Sequence, residues 1–296
     1  MPNSTHRLRA LVRARANTLT LSTLRAALLA AVFAAVFVCD ATSLSAQTDF
    51  MNTDRGRPLS IEDASVVERG ALELQVAPLR LERSRGGLYL WGLEPGVMAG
   101  LFARTEFDVG LPIALRDLNG VRTLALAGID LGVLHQLNAE STTLPAFALR
   151  LDATIPTGGF GPDRVMAALG TMLTRSFDDG VRLHANATVA LGNTISSPGA
   201  SSARDYSRWM AGLSLDRTWA LSSVLVGVEG LVREPVGQPG VREWSVGLGS
   251  RVQLDPRWLL DVGAGRHFGS GIETWYATIG GAYAFGWRFG MAGEDR

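Results

Sequence analysis

Between Thr274 and Phe289, near the C-terminus, side-chain character alternates almost without fault. One set is Trp275, Ala277, Ile279, Gly281, Tyr283, Phe285, Trp287 and Phe289. The other is Thr274, Tyr276, Thr278, Gly280, Ala282, Ala284, Gly286 and Arg288. Successive side chains of a strand point to opposite faces, so this strand has one apolar face, aromatic at both ends, and one face that is small or polar. Such a strand suits the wall of a membrane barrel, with lipid on one side and water on the other.

The pattern recurs upstream. Trp244, Val246, Leu248, Val252 and Leu254 alternate with Glu243, Ser245, Gly247, Gly249, Arg251 and Gln253. Trp258, Leu260, Val262, Ala264 and Phe268 alternate with Asp261, Gly263, Gly265 and His267, and the runs 181–191 and 145–155 behave alike. Turn residues such as Asp255-Pro256-Arg257 separate the runs. No segment keeps a helical period or a long apolar stretch. The runs predict about twelve strands: 71–82, 87–101, 105–115, 123–136, 144–156, 164–176, 181–192, 207–218, 222–234, 241–254, 258–268 and 273–289. Glu94-Pro95-Gly96 predicts a bulge or break in the second. The fold expected is all-β, a single antiparallel transmembrane barrel over 71–289 with a short tail at 290–296.

A lipocalin-like barrel or a sandwich also alternates, but it turns the apolar face inward and shows a richly charged exterior. Here the polar face is mostly Gly, Ala, Ser and Thr with isolated charges. The chain as a whole has 34 glycines and only 19% charged residues, which suits a confined wet interior.

Connections and tryptophans set the orientation. If the chain enters from the periplasm, the turns after even-numbered strands should be short. Ala103-Arg104, Asp178-Asp179-Gly180 and Ala220-Leu221 are, whereas Thr157–Asp163 and Asn193–Tyr206, after odd strands, are longer. Ser84–Gly86 and Asn138–Thr143 break the alternation. Trp209, Trp244 and Trp275 start even strands at the expected outer rim, as Trp91 does early in the second. Trp219, Trp258 and Trp287 fall at periplasmic ends. Two such belts are what two lipid–water interfaces select.

The N-terminus reads as a signal rather than as fold. Arg7, Arg9, Arg13, Arg15 and Arg25 precede an apolar run from Ala26 to Val38, too short to span a bilayer comfortably, followed by Ser43-Leu44-Ser45-Ala46. Residues 1–46 are therefore expected to be a cleaved secretory signal. Val38 before Cys39, the one cysteine, is not the small residue that lipidation wants. Removing the segment leaves a slightly acidic mature chain without cysteine. Residues 47–70 are polar and aperiodic, a lead-in lying in the periplasm or folded into the lumen. No basic run follows the signal, which excludes a nucleic-acid partner.

The face expected to line the lumen carries Glu73, Asp108, Asp130, Asp152, Glu229 and Asp261 with Arg150, Arg182, Arg251 and Arg288. Mixed charge on neighbouring strands fits either a selective constriction or an internal ion-pair network that fills the barrel. Of the histidines, His184 and His267 are expected inward. His135 is expected outward at a periplasmic end with no obvious serine partner. His267 across a hairpin from Glu273 is the one candidate acid–base pair for a hydrolase. No metal-ligand cluster or phosphate loop is present in the sequence, and no cofactor or catalytic residue is expected.

Thr278-Ile279-Gly280-Gly281-Ala282-Tyr283-Ala284-Phe285 resembles the C-terminal targeting signal of bacterial outer-membrane proteins, although Gly290–Arg296 extend beyond it. That resemblance implies delivery to the outer membrane through the barrel-assembly machinery. Arg57-Pro58-Leu59-Ser60-Ile61-Glu62-Asp63-Ala64, then Glu68-Arg69-Gly70 and Leu72-Glu73, resembles the start of barrels of the "MetA-pathway of phenol degradation" family. Ile155-Pro156-Thr157-Gly158 is similar to a Pro-Thr-Gly element of the same family. The resemblance implies an outer-membrane channel or transporter for passive passage of small solutes, aromatic or otherwise hydrophobic. The other readings are a structural or interaction barrel with an ion-pair-filled lumen and, third, an outer-membrane hydrolase. The partners expected are outer-membrane lipids, the assembly machinery and small solutes.

Overall fold

The structure is a computed structural model and describes residues 52–54, 56–84, 88–191, 206–219, 223–236, 238–269 and 273–286. The expected signal, Trp287, Arg288 and the C-terminal tail lie outside the described residues. The strand segments are β1 (Ala71–Ser84), β2 (Leu88–Leu93), β3 (Gly96–Phe102), β4 (Thr105–Gly110), β5 (Ile113–Leu118), β6 (Val121–Leu126), β7 (Ile129–Asn138) and β8 (Ala146–Ile155). They continue with β9 (Met166–Ser176), β10 (Val181–Leu191), β11 (Ser207–Trp219), β12 (Val224–Pro235), β13 (Glu243–Asp255), β14 (Trp258–Phe268) and β15 (Thr274–Gly286). All belong to one sheet, and β15 returns to pair antiparallel with β1, so the sheet closes on itself.

These segments make a barrel of 12 strands, because three pairs of segments are each one strand with a break. β1 pairs with β3 through Leu72–Gln75 and with β2 through Leu79–Arg83, so β2 and β3 are successive parts of a single strand. β4 with β5 and β6 with β7 are related in the same way. The breaks fall at Pro95, Pro112 and Gly128. Proline has no N–H to give to a ladder and glycine admits the φ of +108° found at Gly128, so the three strands step aside at one level. Across the step Leu111 N donates to Pro95 O at 2.9 Å and Ala127 N to Pro112 O at 2.8 Å. The sequence announces the first break through Glu94-Pro95-Gly96. The break at Leu111-Pro112 sits inside good alternation, and the one at Ala127-Gly128 shows only as a one-residue slip of the outward set, from Leu124 and Leu126 to Ile129 and Leu131.

The polarity of the wall is inverted relative to a soluble protein. On β8, Leu149 and Leu151 are 39% and 52% exposed, whereas Arg150 between them is 3% exposed. Trp244, Leu248, Val262, Trp275 and Ile279 are likewise exposed, and Glu229, Arg251, Asp261 and His267 buried. Burial of charge beside exposure of tryptophan is favourable only if the outside is lipid. Outside the strands, Phe160 from the loop after β8 joins Leu90, Ala114 and Ala127 in a small apolar cluster. It closes the inner side of the outer flap formed by β2, β5 and β6.

Candidate functional site: the lumen and the segment inside it

The lumen is occupied by the described residues that precede β1, 52–54 and 56–70. Starting from Asn52, this segment first crosses the closing seam of the barrel and from Ser60 onward runs back along the inner wall from β12 towards β3. Asp54 Oδ2 accepts from Arg251 Nη2 at 2.8 Å on β13, and Arg57 Nη1 donates to Asp261 Oδ2 on β14 and to Gly281 O on β15, each at 3.1 Å. Arg57 also lies 3.8 Å from Glu73 on β1. Ser60 N and Ile61 N then donate to Glu229 Oε2 on β12 at 2.6 and 3.0 Å. Asp63 takes Arg182 of β10 at 3.3 Å, Ala64 N donates to Thr174 Oγ1 of β9 at 2.9 Å, and Glu62 takes Arg150 of β8 at 2.6 Å. Gln136 Nε2 of β7 donates to Ala64 O at 3.0 Å. Val67 N donates to Glu106 Oε2 of β4 at 2.8 Å, and Gly70 N to Gly100 O of β3 at 2.8 Å, where β1 begins. An aperiodic segment has no ladder of its own, so its backbone donors are satisfied by wall side chains instead.

The wall is recessed where the segment passes. A Cβ placed at Gly212 would stand 2.6 Å from Ile61 Cδ1, one at Gly249 2.9 Å from Pro58, and one at Gly263 2.4 Å from Pro58 O. At Gly100 it would stand 2.0 Å from Glu68 O. Glycine at these positions lets another backbone approach closely. This explains part of the glycine abundance that the sequence leaves as a general feature of the polar face.

The candidate lumen residues fall into three described groups. Arg251 and Asp261 join Asp54 and Arg57, with Arg251 Nε to Asp261 Oδ1 at 2.6 Å, and Glu73 lies beside them. Arg150 binds Asp108 at 2.5 Å and Asp152 at 2.9 Å besides Glu62, and Asp130 accepts from Thr154 Oγ1 at 2.6 Å. Arg182 binds Asp216 at 2.7 Å, and His184 Nε2 lies 3.0 Å from the same carboxylate. Glu229 serves the segment's backbone and also accepts from Tyr276 Oη at 3.1 Å. Sequence reasoning missed Glu106, Asp216, Arg233 and Glu243 on the wall, and the lumenal partners Asp54, Arg57, Glu62 and Asp63. Glu106, Asp216, Arg233 and Glu243 were legible from their place on the polar face. The segment had only one signal, a set of charges opposite in sign to candidates on the wall.

Of the belt candidates, Trp219, Trp244, Trp258 and Trp275 are exposed at 52%, 51%, 40% and 60%. Trp209 is half-buried and donates through Nε1 to Glu234 at 3.0 Å. The partners described for the two residues of the candidate acid–base pair are other side chains. Glu273 binds Arg266, whereas His267 lies 2.9 Å from Arg80 Nη2, 3.6 Å from Glu243 and stacked on Tyr276. Parity explains the difference: Arg266 is the outward neighbour on the strand and His267 the inward one. His135 does have a hydroxyl partner, Thr105 Oγ1 at 2.9 Å, across the β4–β7 ladder.

On the outer side of the segment lies a cavity of about 240 Å³. Its floor includes Arg57, Ser60 and Glu62, and one wall carries Asp108, Asp130, Arg150 and Asp152. Met98, Met166, Met172, Met210, Val97 and Leu231 supply an apolar lining, four of them flexible thioethers that adapt to varied shapes.

Closure, inverted polarity and a polar interior together define an outer-membrane β-barrel of the channel type, here with its own N-terminal segment inside. The chain belongs to the family described as "Putative MetA-pathway of phenol degradation", whose model matches residues 16–289. The fold is also that of the COG4313 outer membrane channel from Pseudomonas putida F1, with 12% identity, a TM-score of 0.50, and coverage of 79% of this chain and 100% of that one. The NanC porin gives 7% identity and a TM-score of 0.48 over 70% of this chain and 98% of its own. The KdgM porin in complex with oligogalacturonate gives 11% and 0.46 over 73% and 99%. No curated protein matches the chain. The protein is located in the bacterial outer membrane.

Proposed function

We propose that the barrel passes small solutes passively and that the compounds it favours are aromatic or otherwise hydrophobic. The observation that carries this reading is the cavity above the segment, where methionine and aliphatic side chains face a charged wall. A small apolar solute with one or two polar groups matches such a lining, because ligand sites are mostly apolar with a few placed polar groups. The lumen charges act here as scaffold: they hold the segment in place, and the cavity's apolar side supplies the preference. Residues 1–46 serve as a cleaved export signal, the C-terminal strand as the handle for the assembly machinery, and the tryptophans as interface anchors. No catalytic role is assigned to the lumen histidines.

A second reading is favoured by a separate observation, the pairing of the segment with charges all round the wall. It is a barrel whose lumen stays shut and whose role is structural. Planar-bilayer conductance of the mature chain, compared with a chain lacking residues 47–66, separates the two. Passage predicts small conductance for the former and large for the latter, with liposome uptake of phenolic solutes exceeding that of sugars of equal size. No current and no uptake from either protein would sink the channel reading.

A further inference from the structure

Near the outer ends of the strands, one cross-strand row on the lipid-facing side reads Arg266, Trp275, Arg83, Tyr89. Each is the register partner of the next, on β14, β15, β1 and β2. The row continues through Asp117 on β5 to Arg122 on β6. Its outward aspect is fixed by Trp275, which is 60% exposed, and by the inward burial of Tyr276 and His267 beside it. The guanidinium of Arg266 lies 5.1 Å from the Trp275 ring centre and that of Arg83 lies 5.5 Å from the Tyr89 ring centre. Stacking of this kind occupies a guanidinium's face and leaves its N–H edge free to donate.

The row's depth makes these arginines unusual. Arg266 sits one outward position inside the Trp244–Phe268 pair, between Ala264 and Phe268 on its own strand and beside Val246 on the next. An outward arginine among apolar neighbours is costly in hydrocarbon and is retained where it reaches the headgroup layer. The two paired cations in the area are accounted for: Arg122 by Asp117 at 2.9 Å, and Arg266 in part by Glu273. Arg83 is exposed and has no carboxylate within ion-pair distance among the described residues. Neighbouring strands lie about 4.8 Å apart, so Arg83 and Arg266 flank Trp275 with their Cα atoms about 10 Å apart, a span that one phosphate can bridge through two long side chains.

We propose that Arg83 and Arg266, held on either side of Trp275, bind a phosphate group of the phosphorylated glycolipid in the outer leaflet. The planar, permanently charged guanidinium suits phosphate oxygens, and the indole between the two rests on the sugar or upper acyl region of the same lipid. The site is separate from the lumen and does not depend on what the barrel transports.

The test is native mass spectrometry of the refolded mature chain with bis-phosphorylated lipid A, its dephosphorylated counterpart, and inorganic phosphate. The wild type should retain the phosphorylated lipid, retain the dephosphorylated one at least about tenfold less, and hold inorganic phosphate weakly, since the tryptophan contact is then missing. Arg83→Gln with Arg266→Gln should lower retention by a similar factor while heat-modifiable migration persists. Arg122→Gln, four strands round the row from Trp275 and so beyond reach of a phosphate held beside it, should change it less than about twofold. Equal retention of the two lipids by the wild type, a result that needs no variant to fold, overturns the proposal. So does unchanged retention by the double variant, or binding of inorganic phosphate as tight as that of the lipid.

Discussion

Arg57 Nη1 lies 3.1 Å from Asp261 Oδ2, and through this contact a residue of the aperiodic leader is bound to the wall next to the seam where the barrel closes. The same guanidinium reaches Gly281 O on the last strand and approaches Glu73 on the first, so it spans both sides of the β1–β15 junction. Removing it leaves Asp54 and Asp261 buried with Arg251 as their remaining cation. Arg57→Ala is therefore expected to destabilise the folded barrel by about 3–5 kcal/mol, the range for breaking a buried pair. Urea unfolding followed by heat-modifiable migration measures it, and an unchanged midpoint would contradict the role given to Arg57.

Gly263 tests whether the segment's position depends on the recess in the wall. A Cβ there would stand 2.4 Å from Pro58 O and 2.8 Å from Thr278 Oγ1. The first of these is backbone and cannot rotate aside. Gly263→Val should leave the outward face and strand pairing intact and push the segment off the wall. In a chain with Cys39→Ser and Leu59→Cys, maleimide labelling from the aqueous side should rise about tenfold or more on adding Gly263→Val, the change expected if more than about 1.4 kcal/mol of closure is lost.

Legibility followed periodicity. The last strand, the β13–β14 hairpin and β8 alternate cleanly because lipid and lumen impose opposite demands on successive residues, and their described spans agree with the sequence reading to within a few residues. The step at Pro112 is hidden, because a break that preserves the inward–outward order leaves no mark on alternation, whereas the step at Gly128 moves the outward set from Leu124 and Leu126 to Ile129 and Leu131, a one-residue slip that a single strand over 123–136 passes over. The residues around Arg57 were harder still. Their backbone is held by side chains scattered from β4 to β13, and no local rule in a single stretch of chain encodes partners that far away. Glu273 illustrates the converse error: it is close in sequence to His267, yet strand parity gives it to Arg266.

Phe160 holds the loop after β8 against the outer flap. It is 5% exposed, packs with Leu90, Ala114 and Ala127, accepts Arg116 over its ring at 5.4 Å, and its N–H donates to Leu126 O at 3.0 Å. Phe160→Ala should release this loop at a local cost of about 3–5 kcal/mol. Limited proteolysis from the outside should then cut between Pro156 and Val165 in the variant and spare that loop in the wild type.

Arg150 and Leu151 are adjacent and have opposite surroundings, which makes them a test of the whole membrane assignment. Leu151 is 52% exposed and points outward midway along β8, whereas Arg150 is buried among Glu62, Asp108 and Asp152. In a water-soluble barrel Leu151→Arg is a surface change worth less than about 0.5 kcal/mol. In lipid it places a charge near the bilayer midplane and costs about 2–4 kcal/mol. Arg150→Leu removes the cation from three carboxylates and is expected to cost about 3–5 kcal/mol in either setting. Reversible unfolding of both variants in liposomes should show both destabilised. Loss of stability for Arg150→Leu with none for Leu151→Arg would place water, not lipid, on the outward face.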